Sequence, residues 1–223
     1  MIYLLNDNAG QEKLILKGET YKYLVKVLHH CLGDELQLRN KENIEELYLY
    51  KIIAIDGRKL ELALLSKQEY EVKPSKNLHI AWCIIDPKSI EKVLPSLNEI
   101  GVEKITFIYC KRSQKSFKLD FKRLEKILLN SSQQSGRSKM MKLEMSEDLQ
   151  TFIAQNPQSK MLNFSKNNFI QSATFDTIVV GCEGGLHEDE IALFKAEDII
   201  GFNTPLVLKS ESATCAVASK ILL

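Results

Sequence analysis

A chain of 223 residues, 44% apolar and 26% charged, has the length and composition of a globular protein with one large domain or two small ones. Its net charge of +1 names no partner, no run approaches the roughly 18 apolar residues of a membrane span, and the opening MIYLLNDNAGQEK lacks the basic start and apolar segment of a signal peptide. The five cysteines (31, 83, 110, 182 and 215) are scattered, odd in number and without a CxxC pair, so neither a zinc site nor a disulfide framework is expected, and a reduced, cytoplasmic chain is the simplest reading.

The first 70 residues read as β-rich. Stretches 36–40, 46–55 and 59–65 alternate or run apolar at strand length, with KEN and DGR as turn material between them. Asp56-Gly57 is a hairpin turn signal, because glycine tolerates positive φ. Between 19 and 36, Tyr23, Val27 and Leu28 fall at helical spacing and Gly33-Asp34 closes the segment, which fits a small barrel with one short helix. Residues 69–77 are polar, contain Pro74 and form a plausible linker, dividing the chain into domains 1–72 and 73–223.

Beyond the linker the rhythm changes. LHIAWCII (78–85) is a continuous apolar strand; Asp86-Pro87 opens a helix that runs to about 100, with Pro95 a local irregularity and Gly101 its end. A strand at 104–110 and an amphipathic helix at about 120–132 follow, then strands at 160–164, 176–181 and 198–202, with helices at 187–196 and 211–222. Such alternation predicts an α/β domain with a mostly parallel sheet covered by helices on both faces.

Charge is unevenly spread: residues 104–142 hold 11 basic and 2 acidic side chains, whereas 143–223 hold 5 basic and 11 acidic. The basic block reads either as a solvated helix face or as a polyanion-binding surface, and its interleaved Ser, Gln and Phe favour the latter. Strand, glycine loop and helix in TIVVGCEGGLHEDEIALF (177–194) look at first like a phosphate cradle. Yet the Walker ending and the GxGxxG spacing are absent, and Glu188, Asp189 and Glu190 suit a helix N-terminus while repelling phosphate. The loop reads either as a plain structural turn or as the seat of a ligand with neutral or positive parts that needs close backbone approach. A second such loop, GFNTPLVLKSESATCAVASKILL (201–223), opens a helix whose face Ala213, Ala216, Val217 and Ser219 is built for close packing. Two loops at the carboxyl ends of neighbouring strands are where open α/β sheets bind ligands.

GCEGGLHEDEI resembles the GPEGGxSxxE signature of the RsmE family, and TPLVLKSESA its GPRxLRxETA signature. LNEIGVEKITFIYCKRS (97–113) is similar to the family's TELGV…SERS segment, QQSGR (133–137) to its EQSGR segment, and YLVKVLHHCLGDELQL (23–38) to its HxxRVLRxxxGD segment. The five matches keep family order and cover most of the chain. The sequence departs from the pattern at Cys182 (for proline), Leu206 and Lys209 (for arginines), Ser89 and Ser96 (where basic residues are common), and Lys26 and His29 (for arginines).

The resemblance implies a PUA-like N-terminal β-barrel joined to a SPOUT methyltransferase domain with a deep trefoil knot. It implies a cytoplasmic homodimer that uses S-adenosylmethionine (SAM) to methylate N3 of a uridine in 16S ribosomal RNA of the small subunit, with no metal and no membrane. After AWCII no glycine occurs until Gly101, which disfavours the GxGxG turn of the other common methyltransferase fold. By this resemblance, the cofactor residues are Leu162, Asn163, Gly181, Glu183, Gly184, Gly185, Asn203, Pro205, Leu208, Ser210 and Ala213. Arg112 and Glu211 are the catalytic candidates; Lys26, His29, Lys111, Arg112, Gln134, Arg137 and Lys209 are the RNA-binding candidates. His187 is expected to cap its helix. A SPOUT enzyme for another RNA position, and a ribosome-associated RNA-binding protein with weakened catalysis, are the alternatives.

Overall fold

The computed structural model describes residues 2–167 and 175–223. Two compact units divide them, Met1–Lys73 with Ser132–Lys139, and Pro74–Ser131 with Met140–Leu223.

The first unit is built on a five-stranded mixed sheet, in spatial order β1 (Leu4–Leu5), β3 (Glu35–Arg39), β4 (Glu46–Asp56), β5 (Lys59–Glu69) and β2 (Lys13–Lys17). β1 runs parallel to β3 and the other pairs are antiparallel. Alternation explains the strands: in β2, Leu14 and Leu16 are buried between exposed lysines. The expected helix is corrected in kind. A single α-turn, α1 (Gly18–Tyr21), runs into a π-helical turn, Lys22–Val27, and the buried residues there are Tyr21 and Leu24. Tyr23, Val27 and Leu28, which set the helical spacing, are exposed. The QQSGR segment also belongs to this unit. Gln133 O accepts the N–H groups of Ile2 and Tyr3, Gln133 Oε1 accepts that of Leu5, and Ser138 exchanges backbone and hydroxyl bonds with Val72.

The second unit carries six strands in the order β11 (Ile199–Ile200), β9 (Lys160–Leu162), β10 (Thr177–Val180), β6 (His79–Cys83), β7 (Lys104–Ile108) and β8 (Lys142–Ser146), every neighbouring pair parallel. The continuous apolar run is explained by burial on both faces: Ile80 through Ile85 are fully inaccessible. α2 (Pro87–Ile100) starts where the Asp86 carboxylate accepts the Ser89 N–H at 3.1 Å, tolerates Pro95, and ends at Gly101 with φ 113°. A Cβ at Gly101 would lie 2.8 Å from Pro74 Cβ, so that exit requires glycine. α3 (Phe121–Ser135) extends three residues past the expected end; β8 and α4 (Leu149–Gln155) were not anticipated. The helix expected at 187–196 is only α5 (Glu188–Ile191), and a 3₁₀ turn, Ala196–Asp198, precedes β11. α6 (Ser210–Leu222) turns Ala213, Thr214, Val217, Ala218 and Ile221 into the core, whereas Ala216 and Ser219 are half-buried.

One expectation about the cysteines is overturned. Cys83 and Cys110 are disulfide-bonded, their Cα atoms 5.7 Å apart. They are 27 positions apart in sequence, but β6 and β7 pair in register and bring their carboxyl ends together.

Candidate functional site

Because all six strands are parallel, the segments after β6, β7, β9, β10 and β11 emerge at one edge of the sheet. Chain order reverses between β6 and β10, a switch point of the kind at which open α/β sheets bind ligands. The glycine loop follows β10. Gly185 N–H donates to Cys182 O at 2.9 Å, closing a tight turn that Gly185 completes with φ 70°. Cys182, standing where the signature has proline, is buried, and its thiol points at Gly185 O, 3.4 Å away. Glu183 and Gly184 are exposed at the tip.

Arg112, on the loop after β7, donates from Nη1 to Gly184 O at 2.7 Å. A Cβ at Gly184 would sit 3.4 Å from Arg112 Cβ and 3.5 Å from Cδ, so the arginine side chain covers the glycine. Two further contacts fasten this loop. Glu190 Oε1 accepts the backbone N–H of Lys111 and Oε2 that of His187, both at 2.8 Å; Lys111 Nζ pairs with Asp189 at 2.5 Å. That ion pair and the His187 ring draw the Asp189 carboxyl below its ordinary value, the hydrogen bond to Lys111 contributing most. His187 is the N-cap of α5 and Glu190 completes the capping box. Acids that looked like generic helix starters therefore have separate jobs: Glu190 ties two loops together, and Asp189 holds a lysine.

The loop before α6 exposes Asn203, Pro205, Leu208 and Lys209. Leu206 and Val207 are 71% and 76% exposed. Ser210 is buried. Its hydroxyl donates to Gly181 O at 2.5 Å and accepts from Trp82 Nε1 at 2.9 Å, so it is engaged inside the protein. Glu211 is half-buried in the first turn of α6, and its carboxylate has no hydrogen-bond or ion-pair partner among the described residues. Leu162 and Asn163 end β9, half-buried, and Asn163 N–H donates to Ile200 O at 2.9 Å. At Gly201 a Cβ would fall 2.8 Å from Asn163 O and 2.9 Å from Ser165 N, so backbone lies directly against backbone.

Among the RNA-binding candidates, Lys26, His29 and Gln134 are exposed in the first unit, and His29 takes φ 59°. Lys111, Arg112 and Lys209 are exposed in the second. Arg137 is corrected. It is 5% exposed and its Nε donates to Lys139 O, so it is a structural side chain, not a surface cation. Lys115, Lys122 and Lys126 are exposed on the basic block. Sequence reasoning missed Glu190 as a loop tie, Trp82 and Gly201. The spacing His187 to Glu190 carries the capping-box pattern that points to the first; nothing local signals the other two.

The RNA methyltransferase domain matches residues 72–222. Ribosomal RNA small subunit methyltransferase E of Helicobacter pylori (strain ATCC 700392 / 26695) is 34% identical, covering 98% of both chains; that of Mesomycoplasma hyopneumoniae is 29% identical over 78% of this chain and 81% of its own. Among solved structures, the methyltransferase E of Neisseria gonorrhoeae bound to S-adenosyl methionine superposes with a TM-score of 0.77 at 15% identity, covering 98% of this chain and 95% of that one. A Legionella pneumophila protein in complex with the bound cofactor SAM superposes at 0.75 and 22%, with the same coverage. The chain belongs to the RNA methyltransferase family and, within it, to the family of the ribosomal RNA small subunit methyltransferases E.

Proposed function

We propose that the protein methylates N3 of a uridine in 16S ribosomal RNA, with SAM as methyl donor and the assembled small subunit as substrate. The observation that carries this reading is the convergence of the glycine loop, the Arg112 loop and the start of α6 at one sheet edge, in a chain of this family.

The residues present fit SAM. Gly181, Gly184 and Gly185 put no side chain into the loop, Leu206, Val207 and Leu208 offer apolar surface on the loop before α6, and Glu183 and Glu211 supply carboxylates suited to a cation. Nearby Arg112 is bonded to Gly184 and Lys111 to Asp189, so the cradle is not organised around phosphates. Leu162, Asn163, Asn203, Pro205, Leu208 and Ala213 complete the set of cofactor residues, with Ser210 contributing by holding Gly181. When bound, SAM supplies an electrophilic methyl group on a sulfonium.

The chain's own work is to orient the base and manage one proton. N3 of uridine is protonated, and that proton must leave for the nitrogen to act as a nucleophile. Glu211 is the proton acceptor in this reading, a half-buried carboxylate without a hydrogen-bond or ion-pair partner among the described residues. Arg112 places positive charge where the base turns anionic, and its hold on Gly184 O keeps it at the cofactor loop. Lys111, Lys209, Gln134, Lys26 and His29 contact RNA, joined by the exposed Lys115, Lys122 and Lys126.

The same reading makes the first unit a PUA-like RNA-binding module and the second a SPOUT domain with a deep trefoil knot. The tight seating of Gly201 against residues 163–165 supports the knot. It also makes the protein a cytoplasmic homodimer; Phe164, Leu206, Val207 and Leu223 stand exposed as apolar surface for a second copy. Mass mapping of small-subunit RNA from a strain lacking the gene tests the function. One methylated uridine should vanish and return on complementation; an unchanged map rejects the reading.

A further inference from the structure

We infer that Trp82 is a positioning residue of the cofactor site, acting through Ser210; the inference rests on the cofactor reading above. Trp82 is the single tryptophan of the chain and is fully buried near the end of β6. Its ring stacks on Phe107, centroids 6.2 Å apart and planes 28° from parallel, which fixes the indole in the core. The indole N–H is a donor only, and it is aimed at Ser210 Oγ, 2.9 Å away.

That one bond decides what the serine hydroxyl does. A hydroxyl has one proton to give and two lone pairs. With Trp82 occupying a lone pair, the proton is directed to Gly181 O, the last carbonyl before the glycine loop. The backbone carbonyl of Ser210 is separately engaged by the Thr214 hydroxyl at 2.8 Å, so the first turn of α6 is held as well. Three residues, in β6, at the start of α6 and just after β10, thus form one chain, Trp82 to Ser210 to Gly181, that sets the spacing between the glycine loop and the loop before α6. Trp82 has no accessible surface and touches no ligand; whatever it contributes passes through the hydroxyl. Without its N–H, a buried lone pair on Ser210 loses its partner and the hydroxyl loses the constraint that aims it at Gly181.

If Trp82 only fills the core, its replacement lowers stability and leaves the cofactor affinity of the folded protein alone. If it acts through Ser210, the two residues are coupled in affinity. The experiment is calorimetric titration of SAM into the full-length wild type, Trp82→Phe, Ser210→Ala and the double variant, with melting curves to establish that each is folded. Each single variant is expected to bind about tenfold more weakly, and the double variant no more weakly than Ser210→Ala alone, because the chain is broken once. Wild-type affinity in folded Trp82→Phe overturns the inference, and so does a loss that multiplies in the Ser210→Ala background. Should Trp82→Phe fail to fold, Ser210→Ala decides: it removes the same link by deleting one oxygen, and unchanged affinity overturns the inference. A wild type that does not bind SAM overturns the cofactor reading and this inference with it, a result distinct from binding without coupling.

Discussion

Glu190 receives the backbone N–H of Lys111 at 2.8 Å across 79 positions of sequence. The same carboxylate receives the N–H of His187, so one buried side chain joins the loop that carries Arg112 to the loop that carries Gly184. Glu190→Gln keeps the shape but turns one acceptor into a donor facing an N–H. The expected result is a turnover lower by on the order of 100-fold, from displacement of Arg112, with SAM affinity changed by only a few-fold. Steady-state kinetics alongside calorimetry checks this; equal losses in affinity and turnover would mean that Glu190 supports the cofactor loop alone.

Gly201 should be far less replaceable than Gly184. A Cβ at 201 meets backbone atoms at 2.8 and 2.9 Å, whereas at 184 it meets the Arg112 side chain at 3.4 Å. Gly201→Ala is expected to cost about 1–3 kcal/mol of stability through overpacking, and Gly184→Ala well under that. Denaturant titration of the two variants gives the comparison. Gly184→Val, by contrast, adds branches into the space Arg112 fills, and should weaken SAM binding while leaving the protein folded.

The cysteines offer a chemical count. Cys31, Cys182 and Cys215 are free, with Cys182 buried. Thiol titration of the unfolded, unreduced protein should therefore find three thiols, and five after reduction. Five before reduction would mean that Cys83 and Cys110 stand side by side unbonded.

Half of this architecture was legible in the sequence, and the reasons are physical. The run 78–85, the Asp86-Pro87 start and the Gly101 stop encode their strand and helix locally, and each was observed. The glycine loop was legible because glycine placement has a steric cause. What failed were features set by tertiary neighbours. Spacing at Tyr23, Val27 and Leu28 is helical, yet those side chains face solvent, because an α-turn runs into a π turn there and the two bury Tyr21 and Leu24 instead. Arg137 looked like a cation for RNA until its burial against Lys139 O was seen. The Cys83–Cys110 bond depends on strand register and the Trp82–Ser210 bond on where α6 begins relative to β6, and no local pattern reports either.

His79 gives a pH dependence unrelated to catalysis. It lines a cavity of about 290 Å³ at the opposite strand ends, with Asp176 and the ion-paired Lys104 and Glu144; its Nε2 lies 2.7 Å from Thr106 Oγ1. Burial, aided by the Lys104 charge, pushes its pKa from 6.5 down to about 4. Between those values the unfolded chain binds the proton and the folded chain does not, so stability falls as pH drops from about 6.5 toward 4. His79→Gln should flatten that part of the denaturation profile. An unchanged slope would assign the acid sensitivity to the carboxylates.

The most direct test of the central claim is transfer of labelled methyl from SAM to purified small ribosomal subunits lacking the modification, followed by nucleoside analysis of the RNA. The account predicts label in N3-methyluridine at one position. It also predicts that Arg112→Ala slows incorporation by on the order of 100- to 1,000-fold, as expected for loss of a charge-stabilising group, while still binding SAM. Wild-type protein that binds SAM and small subunits but leaves no label in uridine, or labels another nucleotide, would contradict it.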